Sequence, residues 1–240
     1  MKQGLAKQGT ADMDANTELK QQLAHCIRML ERADIIDYNG HASVRLDDGR
    51  MLINIGSCQR SRLTVADICT IDSEGQVVDG TPGKPPLEFH LHAGIYRARP
   101  DVKAVVHAHP KWSTYLTMTG TAYAPVYAQG ALVYPVPVLD SPNSINNRYM
   151  ADRLAATLGD RPAALMKSHG AVTVGQTLVE AFVLANYMEE NAHRQYMAMQ
   201  IGKPYAFDEK ELALCREKLW SPTLFQRAWD HFSAKLEPLR

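Results

Sequence analysis

Three short stretches carry side chains that can do chemistry together. The first is Val105-Val106-His107-Ala108-His109-Pro110. Successive side chains of a strand alternate between faces, so His107 and His109 share one face, about 7 Å apart along the strand. Two imidazoles so placed can converge on one divalent cation. The plain alternative is a pair of half-buried histidines held by backbone partners. The second stretch is Pro86-Leu87-Glu88-Phe89-His90-Leu91-His92. On a helix Glu88 and His92 lie four residues apart on one face, while His90 points away. A carboxylate in a first helical turn is favoured by the helix dipole, and that alone would account for Glu88. His90 reads as a packing or surface residue, and His92 as support behind a ligand. The third stretch is Lys167-Ser168-His169-Gly170, a glycine turn between two apolar runs. Three histidines and one carboxylate match a mononuclear catalytic site with positions left open for substrate. Such ligands suit zinc, manganese, iron or cobalt, so the expectation is one divalent ion per subunit without a choice among them.

The elements that must position these groups follow from periodicity. Leu19, Leu23, Ile27 and Leu30 recur at helical spacing between Thr17 and about Ala33. Strands are expected at Ala42 to Leu46 and Met51 to Ile55 around the Asp47-Asp48-Gly49 turn. Leu63 to Asp67 reads as a capped turn, and a second hairpin pairs Cys69 to Asp72 with Gln76 to Asp79. A Gly/Pro-rich loop from Gly80 to Pro86 opens onto a helix from Leu87 to Ala98. Then come a buried strand at Val102 to His109, a helix at Lys111 to Met118 and a strand at Val133 to Val138. A helix from Ser144 to Leu158, with Ser144 as N-cap, leads to strands at Ala163 to Met166 and Ala171 to Val174. A long helix runs from Thr177 to Met199, and a polar region with Trp220, Phe225, Trp229 and Phe232 closes the chain. Strands in hairpins with helices between them predict an α/β domain, helices flanking a mostly antiparallel sheet. Residues 1 to 14 read as a flexible tail and residues 15 to 240 as one domain.

Composition narrows the function classes. With 240 residues, 45% hydrophobic and 22% charged, the chain can bury a sizeable core. Lys plus Arg and Asp plus Glu both number 26, which removes the electrostatic case for a nucleic-acid or membrane-surface binder. No apolar run approaches the roughly 20 residues of a membrane span, and no hydrophobic segment near Met1 suggests a secretory signal. Cys26, Cys58, Cys69 and Cys215 are scattered with no CxxC pair, so neither a disulfide framework nor a cysteine zinc site is expected, and a reducing cytoplasm is the expected compartment.

Glu88-x-x-x-His92, then Arg99-Pro100-Asp101-Val102-x-Ala104-Val105-Val106-His107-x-His109, then Ser168-His169-Gly170 resemble the class II aldolase and adducin family from about Leu19 to about Met199. The resemblance implies a three-layer α-β-α fold with a central, mostly antiparallel sheet. It also implies His107, His109 and His169 as the metal-binding histidines, Glu88 as the acid/base carboxylate, and a homo-oligomer, commonly a tetramer with sites at subunit interfaces. Tyr123, Tyr127 and Tyr134 lie where family members often approach a neighbouring subunit.

The chain departs from the sugar-phosphate members of that family. They hold phosphate with Gly-Asn, Thr-Gly and Ser-Ser before the glutamate. Here those positions read Gly40-His41, Gly56-Ser57 and Pro86-Leu87. Phosphate needs several converging donors, and Pro86 offers none. What remains is His41, Ser43, Ser57, Arg60 and Arg62. An imidazole and a guanidinium can bind a carboxylate, while a solvated loop face is the alternative for the two arginines. Gly40-His41-Ala42-Ser43 with Pro86-Leu87-Glu88 is similar to the branch that decarboxylates hydroxylated aromatic acids, 3,4-dihydroxyphthalate among them. The expected substrate is therefore an ortho-hydroxylated aromatic carboxylate. A class II aldolase acting on a non-phosphorylated hydroxy-keto compound is the second expectation. An adducin-like binding protein is disfavoured by the complete ligand set.

Overall fold

The computed structural model describes residues 16–236 with their side chains. Helix α1 (Lys2–Arg32) begins ahead of them, and the tail expected over residues 1 to 14 lies outside the described residues. The strands are β1 (His41–Arg45), β2 (Met51–Asn54), β3 (Ile68–Ile71), β4 (Ala104–Ala108), β5 (Val138–Leu139), β6 (Ala163–Met166) and β7 (Gly170–Gly175). The remaining helices are α2 (Phe89–Ala98), α3 (Lys111–Met118), α4 (Arg148–Leu158), α5 (Leu178–Ile201), α6 (Glu209–Leu219) and α7 (Pro222–Ser233). One seven-stranded sheet runs β3-β2-β1-β4-β7-β6-β5. Its neighbours pair antiparallel, save β5 with β6, which are parallel.

Alternation along the strands feeds two cores and so makes three layers. Ala42, Val44, Leu52, Val106 and Leu165 face α1, α5 and α7, where Ile27, Phe182, Phe225 and Trp229 meet them. Ile53, Val105, Ala164, Met166 and Val172 face α2 and α4 with Leu91, Ile95 and Leu154. The β1–β2 hairpin closes through Gly49, whose φ of 87° lies where a side chain is disfavoured. No described helix is long and apolar enough to cross a membrane, and the four cysteines are free.

Several expected elements differ. Val133 to Val138 is not a strand: only Val138 and Leu139 join the sheet, because Pro135 and Pro137 cannot donate to a ladder. Gln76 to Asp79 contributes a single bridge, Ile71 to Val77. Helix α4 starts three residues late. Asn147, not Ser144, caps it by accepting the Met150 N–H at 3.0 Å. The polar C-terminal region folds into α6 and α7, and Phe225 and Trp229 pack into the core.

Candidate metal centre

His107 sits on β4, the strand between β1 and β7, and His109 follows two residues later, just past the strand end. His169 lies in the tight β6–β7 turn, where Ser168 takes a left-handed φ of 54° and gives its N–H to Thr117 Oγ1 at 2.9 Å. Gly170 brings this turn against β4: a Cβ there would stand 2.3 Å from the Ala108 carbonyl and 2.9 Å from the His109 ring. Glu88 precedes α2 instead of sitting in its first turn. Its side chain makes no cap; Oε1 accepts the Ile145 N–H at 2.7 Å, from the loop ahead of α4.

These elements bring Glu88, His107, His109 and His169 together, with one ligand atom from each within 4.8 Å of the others. His107 Nε2 lies 3.3 Å from Glu88 Oε2, and His169 Nε2 lies 3.6 Å from Oε1. The donor chemistry fits a cation. His107 Nδ1 stands 2.9 Å from the Ala171 carbonyl, which only accepts, so the proton is on Nδ1 and the Nε2 lone pair faces Glu88. His109 Nδ1 faces the Asp37 carboxylate at 3.1 Å, which fixes the same tautomer. Nε2 of both rings is buried with no hydrogen-bond partner among the described residues, while His169 turns its Nε2 toward Glu88. The two orphaned Nε2 atoms of His107 and His109 are what a bound divalent ion would satisfy.

The electrostatics favour neutral rings at His41, His109 and His169 beside an ionised carboxylate. Burial and the neighbouring His107 push His169 down to about 4. Burial opposes ionisation of Glu88, yet the nearby His107 and His41 rings and the Ile145 N–H outweigh it and hold the carboxyl well below its usual range. Asp37 is held low as well: burial opposes, but the Asn39 N–H and His109 win. Burial pushes His41 down to about 4 too. This predicts an acid-labile metal-free protein. His41 and His169 titrate near 6.5 when unfolded, so between pH 6.5 and 4 the unfolded chain binds protons that the folded one refuses. The stability these rings contribute is complete above 6.5 and is lost as pH falls toward 4, roughly 3 kcal/mol for His41 alone. Thermal midpoints of metal-free protein from pH 7 to 4 should fall throughout that window; a flat profile contradicts the assignment.

Beside the cluster opens a cavity of about 630 Å³. Its lining includes Asn39, His41, Ser57, Lys84, Pro86, Leu87, Glu88, Ser144 and His169. A second cavity of about 740 Å³, which Arg62 and Lys111 line, adjoins it across Arg60 and His109. Of the residues expected to touch substrate, His41 and Ser57 reach the first cavity. Ser43 does not: it is fully buried, with Oγ bound to His92 Nδ1 at 2.6 Å and Tyr96 Oη at 2.7 Å. Arg60 lines both cavities, but most of its guanidinium is engaged by backbone. It is 5% exposed, and its Nε and Nη1 donate to the carbonyls of Gly40, Gly56 and Cys58, so it braces the loops that carry His41 and Ser57. His92, expected behind a ligand, stands 2.7 Å from His41 and 2.6 Å from Ser43 Oγ. Sequence reasoning missed Asp37, Lys84 and Ser144. Only Lys84 had a local signal, a cation in the Gly/Pro-rich loop before Glu88.

Three histidines and one carboxylate thus meet at the end of the central strand β4, a donor set that fits a divalent metal ion. The chain belongs to the class II aldolase and adducin family: the description "Class II Aldolase and Adducin N-terminal domain" matches residues 21–196. A 3,4-dihydroxyphthalate decarboxylase from Terrabacter sp. (strain DBF63) is 31% identical over 186 residues, 69% of this chain and 75% of the relative. A 5-methylthioribulose-1-phosphate/5-deoxyribulose-1-phosphate aldolase from Rhodospirillum rubrum is 32% identical over 180 residues, 75% of this chain and 80% of its own. The solved L-fuculose 1-phosphate aldolase from Glaciozyma antarctica PI12 shares the fold with a TM-score of 0.80 at 22% identity, over 92% of this chain and 89% of that one. These relatives carry the names of lyases.

Proposed function

We propose that this protein is a metal-dependent, non-oxidative decarboxylase of an ortho-hydroxylated aromatic acid, with 3,4-dihydroxyphthalate, giving protocatechuate, as the leading substrate. The observation that carries the reading is the cavity wall above Glu88. It is built from Pro85, Pro86 and Leu87, with no hydroxyl and, at the prolines, no N–H, while His41 and Lys84 line the same space. This stretch of wall suits an apolar ring and offers a phosphate no side-chain donor of its own, while the Lys84 ammonium and the His41 imidazole suit a carboxylate. Among the described residues Lys84 has no ion-pair partner to compete with such a substrate. The named decarboxylase among the relatives supports the same reading.

His107, His109 and His169, with Glu88 beside them, would hold one divalent ion, zinc, manganese, iron or cobalt. Bound there, it supplies Lewis-acid stabilisation of negative charge developing on substrate oxygen. The protein's own groups do the rest. Glu88 enters as a carboxylate and takes the proton of the ortho hydroxyl. It then returns that proton to the ring carbon bearing the leaving carboxylate, giving a dearomatised keto form. The C–C bond breaks, its electron pair restores the aromatic ring, carbon dioxide departs, and solvent reprotonates the phenolate. The acting unit is one domain in a cytoplasmic homo-oligomer, with the family's common tetramer the leading form.

A class II aldolase on a non-phosphorylated hydroxy-keto substrate would use the same four residues; the relatives named as aldolases support the aldolase part of this second reading, although their names specify sugar phosphates. Incubation of metal-loaded protein with a panel of ortho-hydroxy aromatic acids separates the two. Chelator-sensitive release of carbon dioxide with one matching phenolic product is the expected result. No release from protein shown to contain metal rejects the decarboxylase.

A further inference from the structure

Behind the cavity four buried side chains form one unbranched line. His41 and Ser43 lie two apart on β1, and His92 and Tyr96 lie four apart on α2, so two strand residues of one face meet two helix residues of one face. From the interior outward, Tyr96 Oη is 2.7 Å from Ser43 Oγ, Ser43 Oγ is 2.6 Å from His92 Nδ1, and His92 Nε2 is 2.7 Å from His41 Nδ1. The last atom, His41 Nε2, is buried without a hydrogen-bond partner among the described residues and stands 3.9 Å from Glu88 Oε2.

Each link holds a single proton, given by one side or the other. The inner end decides which. The Tyr96 phenol has one proton and two acceptors, Ser43 Oγ at 2.7 Å and the Lys103 carbonyl at 3.5 Å. That carbonyl already accepts the Arg45 N–H at 2.8 Å. Hydroxyl hydrogen bonds favour about 2.7 Å and are spent well before 3.5 Å, so Tyr96 donates to Ser43. Among the described residues Ser43 Oγ has only these two partners, so its own proton fills the link to His92 Nδ1. His92 then carries its proton on Nε2 and gives it to His41 Nδ1. His41 is left with its proton on Nε2, facing the site. Its ladder partner His107, anchored by the Ala171 carbonyl, presents a bare Nε2 to the same space.

We propose that the Tyr96–Ser43–His92 line sets the tautomer of His41, making its Nε2–H a fixed donor to an anionic oxygen of the substrate and barring it from the metal-ligand set. The substrate half, donation to a carboxylate, rests on the decarboxylase reading; the tautomer half does not. Tyr96, Ser43 and His92 are positioning residues. The line also explains why an imidazole whose ring centre is 4.9 Å from that of His107 is not a fourth histidine ligand.

Long-range proton–nitrogen NMR of protein labelled with ¹⁵N-histidine, metal-free and zinc-loaded, reads each tautomer without turnover. The expected spectra show His41 protonated on Nε2 in both forms. In Ser43→Ala, where His92 Nδ1 loses its donor, the two tautomers mix. Salicylate, an ortho-hydroxy carboxylate, should move the His41 Nε2 proton downfield in the zinc-loaded protein. Ser43→Ala should raise KM for the aromatic acid about tenfold with kcat changed less than about threefold, the loss of one charge-assisted hydrogen bond. A proton on His41 Nδ1 in the unsubstituted protein, or an unaltered His41 tautomer in Ser43→Ala, overturns the proposal. A salicylate-insensitive His41 removes the carboxylate as its recipient. Failure of the decarboxylase assay leaves the tautomer spectra standing, so the two readings fail separately.

Discussion

Glu88→Gln lowers kcat by about a thousandfold and leaves the metal and the fold in place, the range expected when the group that moves a proton is replaced. The substitution is conservative where it should be. Glutamine keeps the length of the side chain, and its carbonyl can still accept the Ile145 N–H that now meets Oε1 at 2.7 Å. What it cannot do is take the hydroxyl proton and return it to carbon. Metal content and thermal midpoint should stay near those of the parent, and KM should change little because the cavity is unaltered. Retained turnover would remove Glu88 from proton transfer and leave it only the role of a clasp on the loop ahead of α4.

His109→Ala abolishes both tight metal binding and turnover, and Asp37→Asn produces a graded version of the same loss. His109 offers its Nε2 because Asp37 holds the proton on Nδ1. Asp37 is itself anchored by the N–H groups of Asn39 at 2.8 Å and Gly40 at 3.3 Å. An asparagine there can keep those bonds with its carbonyl, which then turns an N–H toward His109 Nδ1 and favours the tautomer with a blocked Nε2. Metal affinity should fall about 10- to 100-fold in Asp37→Asn, the usual effect of such a partner. Metal content after dialysis and the divalent-ion dependence of rate measure both variants. Full occupancy in His109→Ala would exclude His109 from the ligand set.

The fold was legible wherever a local pattern and its partner coincide. Helix α3 begins and ends at Lys111 and Met118 as periodicity predicts, and α5 starts behind Thr177, whose side chain accepts the Glu180 N–H. His107 and Val105 fall on one face of β4 by simple alternation. Failures came where the deciding partner is far away in sequence or is backbone. Glu88 looks like a helix-start carboxylate until Ile145, 57 residues on, claims Oε1. Arg60 looks like a free ligand clamp because side-chain reasoning does not see the three carbonyls that engage most of its guanidinium. Ser43 sits one alternation from the cavity, and only the packing of α2 on β1 shows that His92 covers it. Asp37 has no motif at all; it becomes part of the site through a 72-residue loop closure onto His109.

The contact at Gly170 has a bearing on how such a protein can diversify. Any side chain there would collide with the Ala108 carbonyl and the His109 ring, and the neighbour it would displace is backbone of a central strand. Position 170 therefore admits no drift without separating two of the histidines. Lys84 and Leu87, on an exposed rim loop, obey no such restriction. Descendants can thus exchange one substrate for another by changes at the rim while inheriting the sheet unaltered. Within one lineage the reaction's machinery would be ancient and its diet recent.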